Sequence, residues 1–263
     1  MADPAGLTVG VVALAGLFNN AVQCFEYVQL GRGFGKDFQT SQLKLDNARL
    51  RLSRWGSSLG LGNNNQDVQA LGERFNPDTV KQAQALLGQI LELFDNAESV
   101  SDKYRNRAQP NDDRLAICNP QTDLDPDAID LHQKMRQLSI ERQSQSSLKQ
   151  KIKWALYEDK SFRRLIEDIS ELTQHLVELF PATKEVQQRL CDQEVSSIGE
   201  NKVLSILKDI AAEQDKLLED AIAKVVSNPG GTHHITFSGG GNRGLQLGHN
   251  SGTMSGLNFG DKG

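Results

Sequence analysis

Apolar residues recur every three or four positions through most of the chain before residue 228, and this spacing limits that region to amphipathic α-helices. We expect Pro181 to end one helix and Ile198-Gly199 to break another. The predicted fold class is therefore all-α, a helical bundle over residues 1–227. The predicted helical stretches are 37–55, Asn76-Pro77 to about 97, 127–157, 161–180 and 183–226.

The stretch 37–55 shows how this spacing divides a helix into two faces. One face is apolar and should contact the core of the bundle. Its residues are Phe38, Leu45, Ala48, Leu52 and Trp55. Four cationic residues lie off that stripe, namely Lys44, Arg49, Arg51 and Arg54.

Three segments before residue 228 lack helical spacing, and one of them is the Gly- and Asn-rich loop SSLGLGNNNQ at 57–66. GRGFGKD at 31–37 superficially resembles a phosphate-binding loop, but Leu30 stands where the first glycine is required and Asp37 where Ser or Thr should follow the lysine. We interpret it as a glycine-marked turn. Residues 105–127 hold three prolines and predict a long loop with room for a short hairpin near 115–118.

The sequence offers little chemistry for catalysis. HExxH does not occur, and none of the five histidines pairs with another at metal-binding helical spacing. The tail after residue 228 carries Arg243, Lys262 and Asp261, so the remaining 27 basic and 33 acidic residues give a net charge of −6. That balance argues against a nucleic-acid partner. We expect a non-enzymatic protein without cofactor or metal, whose three widely spaced cysteines are reduced thiols.

Residues 5–25 carry no charged side chain over 21 positions, which is about the length that a membrane-spanning helix needs. Asn19, Asn20 and Gln23 dilute its hydrophobicity, so it is a poor constitutive span. We interpret it as a first bundle helix that is packed at rest and enters a membrane only conditionally. Its membrane-facing residues would be Leu7, Val9, Val11, Val12, Leu14, Leu17, Phe18, Val22 and Phe25.

Residues 228–263 form a different kind of segment. Asn228-Pro229-Gly230-Gly231 ends the helical pattern, and 11 of the chain's 23 glycines follow position 229. Glycine then recurs every four residues from 240 to 260. Such a segment cannot bury enough apolar surface alone to offset its ordering entropy, so we expect it to be disordered as a monomer.

The apolar residues of this tail alternate with polar ones in three short units, which favours strands over an inert linker. Copies stacked in register would pair every backbone group, form amide ladders and bury the apolar pairs. We therefore expect a templated cross-β core over about 235–260. Its residues are Ile235, Phe237, Gly244, Leu245, Gln246, Leu247, Gly248, Asn250, Gly252, Gly256, Leu257, Asn258 and Phe259.

Three stretches of the chain resemble a known family. They are AGLFNNAVQCFEYVQLGRGFGKDF at 15–38, QLKLDNARLRLSRWG at 42–56 and KWALYEDKS at 153–161. They are similar to the HeLo domain of the fungal HET-S/HET-s prion-incompatibility proteins, and the likeness covers about 1–225. The resemblance implies a helical bundle that kills cells by releasing its N-terminal segment into a membrane when the C-terminal amyloid region is templated.

The tail does not resemble the repeated, charged prion-forming region of that family. Leu245-Gln246-Leu247-Gly248, followed by Asn250, instead resembles the RHIM core. Fungal proteins carry a similar pseudo-palindromic motif, shared between a nucleotide-binding receptor and its effector. The resemblance therefore implies homotypic amyloid assembly and an NLR-like receptor partner with a matching motif.

Together these features predict an amyloid-triggered cell-death effector of heterokaryon incompatibility, cytoplasmic at rest and membrane-associated, in contact with lipids, once activated. The alternative is a non-toxic adaptor or inhibitor that co-assembles with an active HeLo partner. A helical scaffold with an inert tail is the third possibility, and it predicts that the tail never forms cross-β structure.

Overall fold

The computed structural model describes residues 4–62, 75–109, 112–143 and 152–227, with the backbone alone at 4–9 and 114. Helices dominate this part of the chain, which confirms the all-α prediction. They are α1 (Pro4–Cys24), α2 (Phe38–Ser58), α3 (Pro77–Arg107), α4 (Pro120–Asp123), α5 (Pro126–Glu141), α6 (Asp159–Leu179), α7 (Lys184–Ile198), α8 (Asn201–Gln214) and α9 (Lys216–Val226).

Helix α2 runs through the centre of the bundle, where α5, α6, α7 and α8 pack around it. Helix α1 packs mainly against α3, which in turn packs against α6. Because α2 has neighbours on nearly every side, 15 of its 21 residues are buried. The prediction that four cations lie off the buried face is therefore wrong for Arg49 and Arg54, which are buried as deeply as the apolar stripe.

The predicted helix over 127–157 is only half correct. Helix α5 ends at Glu141, and Trp154–Leu156 is a strand, β2, paired in parallel with β1 (Val28–Leu30). A short apolar run fits a buried strand as well as a helix, and only the partner strand decides between them. Ile152, expected on the helix's apolar face, is 86% exposed.

The glycine-marked turn after β1 is confirmed: within Arg32–Asp37 two short 3-10 turns meet at a kink at Gly35, whose φ is 50°. That left-handed conformation is open to glycine at little cost. The hairpin considered near 115–118 does not form. Ile117 instead bridges antiparallel to Gly31, and the Cys118 amide donates to the Leu30 carbonyl at 2.8 Å.

The last predicted helix, 183–226, is three helices. The first break is confirmed at Gly199, whose φ of 70° ends α7. A second break, which the periodicity did not indicate, falls at Asp215 between α8 and α9. Asp215 ends one helix and caps the next, so apolar spacing continues across it. The helices predicted to begin at Pro77 and end before Pro181 are both confirmed.

Candidate functional site

The two segments that the sequence singles out lie at opposite ends of the chain. The predicted cross-β core, Ile235 through Phe259, lies outside the described residues. The uncharged N-terminal segment is α1, together with the first residue of the 3-10 helix Phe25–Tyr27. The candidate site is therefore the set of contacts that hold α1 in the bundle and anchor α9, the helix that precedes the tail.

The inner face of α1 is almost fully buried. Val11, Leu14, Phe18 and Val22 are each at most 1% exposed, whereas Val12 is 51% exposed on the outer face. Leu17 is half-buried against the core, and Leu7 and Val9 have no described side chains. The residues expected to contact a membrane thus lie on both faces of α1, and the largest of the described ones are packed inside the bundle.

Helix α3 covers one side of α1. The rings of Phe25 and Phe94 meet edge to face with centroids 4.9 Å apart. The Gln84 amide donates a hydrogen bond to the Gly10 carbonyl oxygen at 2.7 Å. This hydrogen bond gives the Gln84 amide a partner beside the apolar contact between the two helices, where an unpaired polar group would be costly.

Helix α2 covers another side of α1 through a close aromatic contact. Phe18 packs edge-on to Trp55 with ring centroids 6.1 Å apart. A Cβ atom added at Gly56 would lie 2.2 Å from the Phe18 ring, so only glycine lets the two helices approach this closely. The Trp55 indole donates to the Leu176 carbonyl at 3.0 Å, which fixes the ring on which Phe18 rests.

A charged clamp follows directly after α1. Arg49 on α2 and Arg136 on α5 both contact the carboxylate of Glu26, the latter at 2.8 Å. Burial by itself raises the pKa of Glu26, but the two guanidinium groups outweigh it and hold that pKa below its usual value. Glu26 therefore stays charged and ties the end of α1 to two other helices.

A second charged cluster anchors the C-terminal end of the bundle. Arg54 on α2, 1% exposed, donates to both carboxylate oxygens of Glu194, at 2.7 and 2.9 Å. Arg142 contacts the same carboxylate. The remaining nitrogen of the Arg54 guanidinium, Nη1, lies 2.8 Å from Asp215 Oδ2. Two cations and two anions balance within this buried network, as the low local dielectric requires.

Asp215 connects this network to α9. Its side chain also accepts from the Leu218 amide at 3.3 Å and so caps the helix. Burial alone lowers the pKa of Arg54, but Asp215 and Glu194 raise it well above its usual value. The cap is thus fixed by a permanently charged partner, and α9 ends at Val226, one residue before the limit of the described chain.

The neighbouring residues Arg54 and Trp55 connect α1 with the start of α9 through α2. Trp55 contacts α1, and Arg54 contacts the start of α9. The sequence prediction missed this link because it had placed Arg54 outside the buried stripe. The sequence carried only a weak signal that Arg54 is buried. It is a cation two residues after Leu52 of the apolar stripe, in a helix with many other buried positions.

Three further observations concern chemistry. The spacing G-x-S-x-G occurs at 56–60, but Ser58 lies on the last turn of α2 and its hydroxyl donates to the Trp55 carbonyl at 2.6 Å, so the strand-to-helix elbow of a nucleophilic serine is not formed. Among the described residues, no cluster of His, Cys, Asp and Glu could hold a metal ion. No helix within the same residues is both long and apolar enough to cross a membrane.

Two family models match the chain. The model described as "HeLo: Prion-inhibition and propagation" covers residues 6–207. The model described as "SesB domain on fungal death-pathway protein" covers residues 229–256, within the glycine-rich tail.

Curated relatives and solved structures agree with the first match. Heterokaryon incompatibility proteins s and S of Podospora anserina are each 35% identical over 226 residues, which is 86% of this chain and 76% of theirs. The HET-S N-terminal domain superposes with a TM-score of 0.75 at 34% identity, covering 87% of this chain and all of that domain. A double mutant of the HET-s N-terminal domain gives 0.73 at 34% identity, covering 81% and 98%.

Proposed function

Because the chain belongs to the HeLo family, we propose that it is a cell-death effector of heterokaryon incompatibility, switched on through its tail. A single observation carries this proposal: one chain joins a HeLo domain at 6–207 to a match for a fungal death-pathway motif at 229–256. Its relatives bear the name heterokaryon incompatibility protein.

The input is templating of the tail. An NLR-like receptor with a matching motif, or an assembled copy of the same tail, would present a β-edge on which Leu245, Gln246 and Leu247 stack in register. Pairing above and below gives each backbone group a partner that a lone tail lacks. The tail residues need not form the amyloid of any one relative for this step to work.

The transmission step acts on α9. A tail fixed in a fibril restricts the chain that continues from Val226, and crowding of bundles along the fibril strains that attachment. The buried contact between Arg54 and Asp215 is the tie that must loosen for α9 to move. Since breaking a buried ion pair leaves an uncompensated charge, its loss weakens the bundle near the C-terminal end of α2.

The output is the release of α1. Trp55, next to Arg54, packs on Phe18, so disturbance of α2 loosens the aromatic contact that holds α1. The uncharged segment 5–25 then exchanges its protein contacts for membrane lipid. Many copies held together by one fibril would raise the local concentration of released segments. The protein would be cytoplasmic at rest and membrane-associated after this step.

The test is dye release from liposomes by the full chain, with and without pre-formed fibrils of a 228–263 peptide. Val12 lies within the segment and is half exposed, so Val12→Lys places a charge there without removing core packing. A charge near the bilayer centre costs about 3 kcal/mol, and Val12→Lys should abolish seeded release. Val100→Lys, equally exposed on α3, is the matched control and should release dye normally.

If Val12→Lys and Val100→Lys release dye equally, insertion of α1 is wrong. If the wild-type chain joins the fibrils yet releases no dye and blocks release by an active HeLo partner, it is the inhibitory adaptor instead. A tail peptide that gives neither cross-β diffraction nor thioflavin binding would instead support the inert-tail scaffold. These outcomes separate the effector from both alternatives in one set of preparations.

A further inference from the structure

A cavity of about 420 Å³ opens beside the Glu26 clamp, between the end of α1, the middle of α2 and the outer face of α5. This volume lies within the usual range for small-molecule pockets. Apolar side chains of Phe25, Leu30 and Leu45 form part of its wall. Charged side chains and several glutamines line much of the rest, so the cavity combines an apolar wall with converging polar groups.

The charged groups of this wall do not balance. The cations are Arg49, Arg136 and Lys153, and the anions are Glu26 and Asp46. Both anions already have partners, since Glu26 is held by the two arginines and Asp46 lies 2.7 Å from the ring of His132. With a neutral His132 the wall carries one surplus positive charge, and a protonated ring adds a second.

Arg49 is the least satisfied of these groups. Its side chain is only 5% exposed, and one of its terminal nitrogens contacts Glu26. Its Nε and its other terminal nitrogen have no hydrogen-bond acceptor among the residues that the structure describes. Burial, together with repulsion from Arg136, lowers the pKa of Arg49 despite the contact with Glu26. A buried guanidinium with idle donors is costly unless an acceptor is supplied.

The geometry points to a phosphate-binding site in this cavity, with Arg49 and Arg136 as the guanidinium donors and Lys153 at the mouth. The two guanidinium groups already converge on one carboxylate, so they are spaced to share a small oxyanion. A phosphate group offers several acceptor oxygens that suit planar arginine forks, and its charge offsets the surplus of the wall. The exposed Lys153 adds a further cation at the rim.

Inorganic phosphate is the direct probe, titrated calorimetrically into the full chain in chloride buffer of constant ionic strength. We expect saturable binding, and about tenfold weaker binding in Arg136→Gln or Lys153→Gln, because each loses a charge-assisted contact. The Arg136 side chain is 47% exposed and Lys153 is also exposed, so these variants keep the core intact. Arg163→Gln, on α6 and 63% exposed, removes one surface charge elsewhere and should bind phosphate as the wild type does.

Vesicle sedimentation then identifies the source of the phosphate. Vesicles of phosphatidylcholine with and without phosphatidic acid are compared for the same variants. Loss of binding to phosphatidic acid in Arg136→Gln but not in Arg163→Gln indicates a lipid headgroup. If the variants sediment with the vesicles as the wild type does, but bind inorganic phosphate more weakly, the ligand is a soluble phosphate compound.

The inference is overturned if phosphate gives no saturable binding and vesicle binding does not depend on Arg136 or Lys153. It is equally overturned if Arg163→Gln weakens binding as much as the cavity variants do. Neither readout involves the tail or dye release, so this site stands or fails independently of the proposed function.

Discussion

Replacing Asp215 with asparagine tests whether the buried charge network anchors α9. Asparagine keeps an oxygen that can accept from the Leu218 amide, so the helix cap survives and only the charge facing Arg54 is lost. The contact with Arg54 has ion-pair distance, 2.8 Å, but Asp215 Oδ2 makes no regular hydrogen bond within the described chain, so its contribution is mainly Coulombic.

The magnitude follows from burial. Arg54 and Asp215 are 1% and 2% exposed, and breaking such a pair typically costs 3–5 kcal/mol because a charge is left buried and uncompensated. Glu194 still pairs with Arg54 in the variant, although it is shared with Arg142, so we expect the lower end, about 3 kcal/mol. For a domain of this size that corresponds to a fall in Tm of about 6–12 °C.

The assay is guanidinium and thermal unfolding of the full chain at neutral pH, followed by far-UV circular dichroism. Asp220→Asn on the same helix is the matched control: Asp220 is 51% exposed and pairs with exposed Lys216, so it should cost less than about 0.5 kcal/mol. If Asp215→Asn changes stability no more than Asp220→Asn does, the network does not anchor α9 and the transmission step loses its basis.

Three further predictions concern packing, pH and reactivity. Gly56→Ala should destabilise the fold by about 1–3 kcal/mol because its Cβ would overlap Phe18, whereas Gly88→Ala, where a Cβ meets no described atom within 4 Å, should stabilise α3 by up to about 1 kcal/mol; equal effects in chemical denaturation would contradict the contact. Burial lowers the pKa of His132, but its carboxylate partner on α2 outweighs burial and raises that pKa above 6.5, so the stability it adds is complete below pH 6.5 and is lost as pH rises through the folded value. His132→Gln should remove that slope in unfolding curves measured between pH 6 and 8, and an unchanged slope would assign it to another group. Burial raises the pKa of the Cys191 thiol to about 12, so at pH 8 it should react with a thiol reagent only as fast as the bundle opens; labelling at the rate of a free thiol in folded protein would refute this burial.

The helices of this bundle were largely predictable because each has its own apolar stripe. The helix start at Pro77 and the helix end before Pro181 follow from proline's missing amide donor. This is a local property that needs no tertiary information. The uncharged stretch that forms most of α1 is also visible directly in the sequence. The tail pattern was likewise readable, since alternation and glycine spacing are properties of the sequence itself.

The errors share one cause, which is that a residue's neighbours across space were unknown. Trp154–Leu156 was predicted to be helical because its partner strand, Val28–Leu30, lies more than 120 positions away in the chain. Arg54 was placed on the surface because a cation within a helix is usually solvated, and its two carboxylate partners come from α7 and the start of α9.

The sequence by itself therefore determined the helices of the bundle and the uncharged first segment, because local periodicity and backbone preference act within a few residues; that the tail stacks stays a prediction. Only the tertiary structure decided which charges are buried and what they join. Electrostatic pairing is set by distance in space and by local dielectric, and neither is encoded in spacing along the chain. In this protein the ion pair joins Arg54 to Asp215 at the start of α9, while the next residue, Trp55, packs on Phe18 of the helix proposed to leave the bundle.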